Sequence, residues 1–264
     1  MLQRIVSAGF IAPCLPTKTD KLPSGSQWLH EIKHDGFRII ARKDGDRVRL
    51  YSRPGNDMTR RFPLIAEALT GLRSRSCIID GEAVACDING LASFERIRYR
   101  QHYGDVFLYA FDLIELNGDD MRRDPLEVRK ATLRSMLAKA SLGLRFNEHL
   151  EGDGPTAFAH ACKMGLEGIV SKRKDSAYRS GRSPDWVKMK NPASAAVTRE
   201  AEEDWGTADE ANDGWRKFQS MVRHAAIATR SQSPSRRPSI SSASIRTSGI
   251  VAKSDLSEYK PDLR

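Results

Sequence analysis

Glu31-Ile32-Lys33-His34-Asp35-Gly36-Phe37-Arg38 sets one lysine beside an Asp-Gly turn and surrounds it with charges of both signs. An amine attacks only when deprotonated, and a lysine's ordinary pKa of about 10.4 leaves roughly a thousandth of it neutral near pH 7.5. Bringing it into range costs about 4 kcal/mol. Desolvation and a neighbouring cation such as Arg38 both act in that direction, because both disfavour the ammonium. If the backbone is extended from Trp28 to Lys33, then Leu29, Glu31 and Lys33 share a face opposite His30 and Ile32, and Glu31 and Lys33 line one pocket. Lys33 is the candidate nucleophile. Taken alone, the octet fits a solvated strand end with an Asp-Gly turn equally well.

Working outward, residues 37–42 and 47–52 alternate, and Asp44-Gly45 between them signals a hairpin, which puts the lysine at the entrance of that hairpin. The second strand runs into Ser52-Arg53-Pro54-Gly55-Asn56-Asp57, where Pro54 stiffens a loop that carries Arg53. Phe62, Ile65, Leu69 and Leu72 follow at helical spacing, as core residues do. Residues 77–85 form a buried strand with Asp80 and Glu82 on one face, and carboxylates in an apolar run need a pair, a hydrogen bond or a metal. Residues 106–116 form a second apolar strand containing Phe111. Leu126, Leu133, Leu137 and Ala140 define a helix with Asp124-Pro125 as its cap and first-turn proline, and a further helix spans 155–164, stopping at Gly165.

Glu167 opens an apolar strand, a position that suits a hard cation; Lys172 falls on the opposite face of an ideal strand, so the strand must bend if both reach one ligand. In Trp186-Val187-Lys188-Met189-Lys190, the two lysines share a face with Trp186. Two such cations call for an anion between them, and a phosphate supplies it; an exposed edge strand defended by lysines is the alternative.

The ordered series resembles the covalent nucleotidyltransferases, and among them the ATP-dependent DNA ligases. Lys33 to Arg38 resembles motif I, Lys-x-Asp-Gly-x-Arg, and Ser52 to Gly55 resembles motif Ia with Pro54 as a departure. Asp80-Gly81-Glu82 lies where motif III does, Tyr109-Ala110-Phe111-Asp112-Leu113 resembles motif IIIa, Glu167 to Lys172 motif IV, and Trp186 to Lys190 motif V. The wording is most similar to the ligase domain of bacterial end-joining ligase D proteins. The resemblance implies an α+β nucleotidyltransferase domain, similar in kind to ATP-grasp folds, of two antiparallel sheets with flanking helices that hold ATP between them. It implies that Lys33 attacks the α-phosphate and carries AMP, which then passes to a DNA 5′-phosphate before the nick is sealed. It further implies that Glu31 reads the adenine and Phe111 stacks on it, and that Arg38 and Arg53 hold ribose or phosphate. Glu82, by the same resemblance, contacts the nucleotide ribose and, with Glu167, holds Mg²⁺ or Mn²⁺, while Lys172, Lys188 and Lys190 contact the nucleotide and its phosphates.

The net charge is +9, with +8 over residues 1–197, −6 over 198–213 and +7 over 214–264. That basic excess suits a polyanionic partner without naming it. The four cysteines are scattered, as reduced thiols in a cytoplasmic protein are. No stretch is an export signal or reaches a membrane span, so the expected setting is the bacterial cytoplasm and nucleoid, with nicked or broken duplex DNA and other end-joining proteins as partners. The expected organisation is an adenylation domain over 1–192, entered through an irregular lead-in at 12–27, and a largely disordered tail over 193–264 with no OB-fold domain. Residues 231–248 hold eight serines, too little apolar surface to fold. Without that domain, two other readings stand beside a minimal ligase: a non-catalytic DNA- or nucleotide-binding module, and an RNA ligase or capping-type transferase.

Overall fold

The computed structural model describes residues 9–98 and 103–199. Its strands form two sheets. One takes, in spatial order, β1 (Cys14–Lys18), β11 (Gly181–Lys190), β10 (Gly168–Arg173), β2 (Ser24–Ile32) and β9 (His149–Asp153). The other takes β4 (Arg47–Ser52), β3 (Phe37–Asp44), β5 (Ser76–Val84), β6 (Phe107–Leu116) and β7 (Asp119–Asp120), with β8 (Leu144–Phe146) beside β6. The helices α1 (Pro63–Thr70), α2 (Phe94–Arg98), α3 (Leu126–Leu137) and α4 (Gly154–Lys163) complete the α+β architecture. Both sheets are antiparallel except where β1 runs parallel to β11 and β8 parallel to β6.

Alternation on the strands sorts apolar side chains into three layers. Ile39, Ala41 and Ile79 turn outward on the second sheet to meet Ile65 and Leu69 of α1 and Leu133 of α3. Ile40 and Ile78, one residue along, turn inward and join Leu29 and Trp186 of the first sheet, so the sheets face each other across a shared core. Ala157 and Ala161 of α4 pack with Ile169 and Leu22 beside the first sheet. Burial of these side chains, at about 1.5–3 kcal/mol each, supplies the main force holding the sheets together.

The β3–β4 hairpin forms as the sequence indicates, but its two turn residues are Gly45 and Asp46, because Asp44 pairs with Arg47. Gly45 takes φ +58°, the conformation such a turn demands. The lead-in is not irregular: Cys14–Lys18 is a strand and β2 begins at Ser24. Pro16 is tolerated because β1 lies at the sheet edge, where a missing N–H costs least. Conversely, β11 lies between β1 and β10, so its lysines do not defend an edge. Pro125 itself occupies the N-cap of α3, without a side-chain cap from Asp124. Asp153 caps α4 by accepting from Thr156 N at 3.0 Å, and the helix gives way to Gly165 at φ +71°.

Two irregularities in β6 matter for the site. Opposite β5, the register skips once between Ile78 and Ile79 and again between Asp80 and Gly81, leaving Ile114 and Phe111 as bulged residues. Each bulge re-aims side chains. Phe111 and its neighbour Asp112 thereby both enter the space between the sheets, where strict alternation would send one of them outward.

Among the described residues, no helix is long and apolar enough to cross a membrane. Helical backbone resumes over 195–199, and the remainder of the acidic stretch and the basic tail lie outside the described residues.

Candidate active site

Residues 33–36 carry the chain from β2 in one sheet to β3 in the other, so Lys33 stands on the crossing between them. Its backbone N–H donates to Gly168 O at 3.0 Å, and its Nζ forms an ion pair with Glu167 Oε1. Gly36 is pressed against β5: a Cβ there would lie 2.2 Å from Ala83 O, so no other residue fits without moving the strand. His34 stacks on Tyr109 with ring centroids 3.9 Å apart. Burial pushes the His34 imidazole down to about 4, so it is neutral at pH 7, and Nε2 donates to Asn147 Oδ1 at 2.9 Å.

Beside Lys33 a pocket opens between the sheets, and seven of the eight residues expected to touch nucleotide, all but Lys190, line it together with Lys33. Glu31 and Lys33 reach it from one face of β2, as alternation requires. Glu31 is buried, and its carboxylate is enclosed by Lys130 Nζ at 2.7 Å, Lys172 Nζ at 2.7 Å and Asn147 Nδ2 at 3.2 Å. Burial pushes its carboxyl up, and the two lysines reverse that and hold it below the usual carboxylate range. Burial also lowers the Lys172 ammonium, with Glu31 opposing.

Arg38 does not bear on Lys33 as a loose cation. Its guanidinium donates Nε to Asp80 Oδ1 at 2.6 Å and Nη2 to Asp80 Oδ2 at 2.8 Å, and reaches Cys14 O at 2.9 Å. Asp80 also accepts the Tyr178 hydroxyl at 2.6 Å. Such a fork fixes the guanidinium plane. Phe111 lines the pocket while only 7% exposed, with Arg38 4.4 Å and Lys172 4.3 Å from its centroid and Trp186 edge-on at 6.4 Å. Arg53 is exposed at the mouth, on the loop after β4.

Lys188 lines the pocket beside Trp186, whereas Lys190 approaches Glu167 at 3.8 Å. Lys172 lines the pocket and Glu167 the cleft that adjoins it, with Lys33 bordering both. Gly168, between Glu167 and Lys172, has φ +145°, which glycine adopts readily, and a Cβ there would stand 2.1 Å from Met189 O. That kink lets Glu167 meet Lys33 while Lys172 meets Glu31.

Two carboxylates remain incompletely satisfied. Glu82, half-buried, makes no hydrogen bond or ion pair among the described residues, and burial pushes it up to about 7 against the opposing charges of Arg38 and Lys33. Glu167 is raised by burial despite Lys33, and its Oε2 is buried without a hydrogen-bond partner among the described residues. These are oxygens that a cation would satisfy.

Sequence reasoning missed Lys130 and Asn147. The signal for Lys130 was present: Leu126, Arg129, Lys130, Leu133 and Leu137 are the buried positions of α3, a leucine stripe carrying two cations. Arg129 spans to Asp112 with Nε–Oδ1 2.7 Å, both side chains fully buried.

Residues 15–190 match the model of the ATP dependent DNA ligase domain, and the chain belongs to that family. It is 40% identical over 185 residues to the multifunctional non-homologous end joining protein LigD of Pseudomonas aeruginosa, covering 69% of this chain and 22% of that protein. It is 34% identical over 216 residues to the multifunctional non-homologous end joining DNA repair protein LigD of Mycobacterium tuberculosis, covering 81% of this chain and 26% of that one. The chain thus spans about a quarter of the length of these relatives. Among solved structures, mycobacterial DNA ligase D complexed with ATP and MES superposes with a TM-score of 0.61 at 37% identity, covering 68% of this chain and 60% of that one. The ligase domain of M. tuberculosis LigD matches with the same values.

Proposed function

We propose that the chain is a self-adenylating DNA ligase domain in which Lys33 takes AMP from ATP. The observation that carries this is the placement of Lys33 at the junction of the two sheets, ion-paired with Glu167 beside a pocket walled by Glu31, Arg38, Glu82, Phe111, Lys172 and Lys188. The Lys33 Nζ lone pair attacks the α-phosphorus, the bond from that phosphorus to the bridging oxygen breaks, pyrophosphate leaves and the ammonium proton passes to solvent. Lys188 and Arg53 face the phosphates, Lys190 steadies Glu167, and Phe111 with Trp186 forms the apolar wall for the purine. Glu31, enclosed by lysines, keeps an acceptor on that wall. Arg38, fixed by Asp80, presents its remaining edge toward the ribose.

The unsatisfied oxygens of Glu82 and Glu167 fit a divalent cation, Mg²⁺ or Mn²⁺. Among the described residues no three His, Cys, Asp or Glu side chains cluster as a metal site, so phosphate oxygens and water would complete the coordination. Such an ion supplies charge neutralisation at the phosphates, where it is worth several kcal/mol. Arg38 and the lysines then hold the adenylate while it passes to a DNA 5′-phosphate, and a 3′-hydroxyl displaces AMP to seal the nick. By similarity to LigD, the partners are broken or nicked duplex DNA and other end-joining proteins.

The test is a competition assay. With ATP labelled on the α-phosphate and Mg²⁺, unlabelled ATP should suppress labelling far below the level left by equal GTP or NAD. Suppression by GTP equal to or greater than that by ATP would overturn the DNA ligase assignment.

A further inference from the structure

We infer that Arg199 is a positioning residue for Lys33, reaching back to it from the segment that follows the last β-strand. That segment lies after β11, which ends at Lys190. Arg199 stands on the helical segment over 195–199, and its Nη2 lies 2.7 Å from Asp35 Oδ1 and 2.9 Å from Asp35 Oδ2. Its guanidinium carbon sits 4.5 Å from the centroid of Phe94 in α2, so an aromatic face holds the cation in place. The side chains of Arg199 and Asp35 are only 19% and 16% exposed, which makes this a partly desolvated pair rather than a loose surface contact. Ser194, before the same segment, bonds back to Asn191, whose own N–H donates to Glu167 O at 2.8 Å.

The turn shows why this contact bears on chemistry. Beyond the Lys33 N–H bond to Gly168, its anchors are His34 against Tyr109 and Asn147, Gly36 against Ala83, and Asp35 in the grip of Arg199. Lys33 is the first residue of that turn, so freedom at Asp35 becomes freedom at the nucleophile's backbone. Arg199 does not line the nucleotide pocket; with Lys33, His34, Asp35 and Glu167 it lines an adjoining cleft that shares Lys33 and His34 with that pocket. The segment after the last β-strand therefore reaches back to the first catalytic turn, and whatever moves that segment moves Lys33.

The inference rests on Lys33 as nucleophile, so two measurements on the full chain keep the two ideas separable. In Arg199→Gln, the self-adenylation rate at saturating ATP should fall by about 10- to 100-fold, the scale of a slight misplacement. The ATP concentration giving half that rate should stay within about twofold, since pocket contacts are intact. Arg199→Lys, which keeps the charge, should recover part of the loss. Independently of any activity, hydrogen exchange in Arg199→Gln should quicken in peptides covering 33–37 while β5 and β6 keep their protection. An unchanged saturating rate, or a rise in half-rate ATP concentration with no loss of rate, would overturn the positioning role. So would unchanged exchange over 33–37, even in a protein whose wild type takes no label.

Discussion

Lys33 and Glu167 form an ion pair across the crossing between the two sheets, and the second oxygen of Glu167 is buried without a hydrogen-bond partner among the described residues. In the proposed reaction one carboxylate orients the amine with one oxygen and leaves the other for a cation. Glu167→Gln preserves shape and removes the charge. Labelling should fall about 100-fold, the scale on which losing one preorganised electrostatic group slows an enzyme, and the Mn²⁺ midpoint for the residual activity should rise. An unaltered metal midpoint would take Glu167 out of the metal site.

Glu82 gives a pH signature with a definite sign. Its carboxyl is pushed up to about 7 in the folded chain, by burial, against an ordinary value of 4.5. Between those values the folded state binds more protons than the unfolded state, so stability falls as pH rises through this window. The cost of holding the charged form is absent below about pH 4.5 and complete above about pH 7. Glu82→Gln should therefore be more stable than wild type at pH 8 in urea unfolding, by up to a few kcal/mol, with no advantage near pH 4. In the wild type, metal-dependent labelling should decline as pH falls through 7, because the carboxylate proposed to hold the ion is being protonated.

Lys130 tests the buried charge network. It is 2% exposed and lies 2.7 Å from Glu31, which is equally buried. Breaking a buried pair from one side leaves an uncompensated charge, at a cost of about 3–5 kcal/mol. Lys172 remains to share the load, so Lys130→Met should destabilise the chain by about 3 kcal/mol. Adding Glu31→Gln should cost less than the sum of the two single changes, because the pair couples them. Strict additivity in denaturant unfolding would show that the 2.7 Å contact carries no net energy.

Much of this site is legible in the sequence. The period-2 pattern puts Glu31 and Lys33 on one wall, and places Lys188 with Trp186, because the pleat fixes those faces whenever the strand runs straight. Reading fails where it does not. Gly168 bends the chain between Glu167 and Lys172, and two bulges in β6 bring Phe111 and Asp112 to the same side. Neither leaves a mark on local alternation. The strand Cys14–Lys18 is hidden by Pro13 and Pro16, whose permissible place at a sheet edge depends on pairing far along the chain. Arg38 reads as a loose cation near Lys33 although its partner Asp80 is visible in the sequence; the register that pairs their strands sets Arg38 opposite Glu82 and leaves the fork with Asp80 on the diagonal.

Gly36 offers a structural control. A Cβ at this position would stand only 2.2 Å from Ala83 O, so Gly36→Ala must displace the turn or β5. Destabilisation by about 1–3 kcal/mol is expected, as for overpacking elsewhere, together with slower labelling. Full stability with full activity would mean that the turn adapts freely and that its anchors matter little to Lys33.

The most direct measurement is the mass of the chain and of its peptides after incubation with ATP and Mg²⁺. One added AMP, located on the peptide containing Lys33 and absent from Lys33→Ala, is the expected result. An adenylate that persists undiminished in Lys33→Ala, or a wild-type chain that never acquires one, would contradict the assignment of Lys33 as the nucleophile.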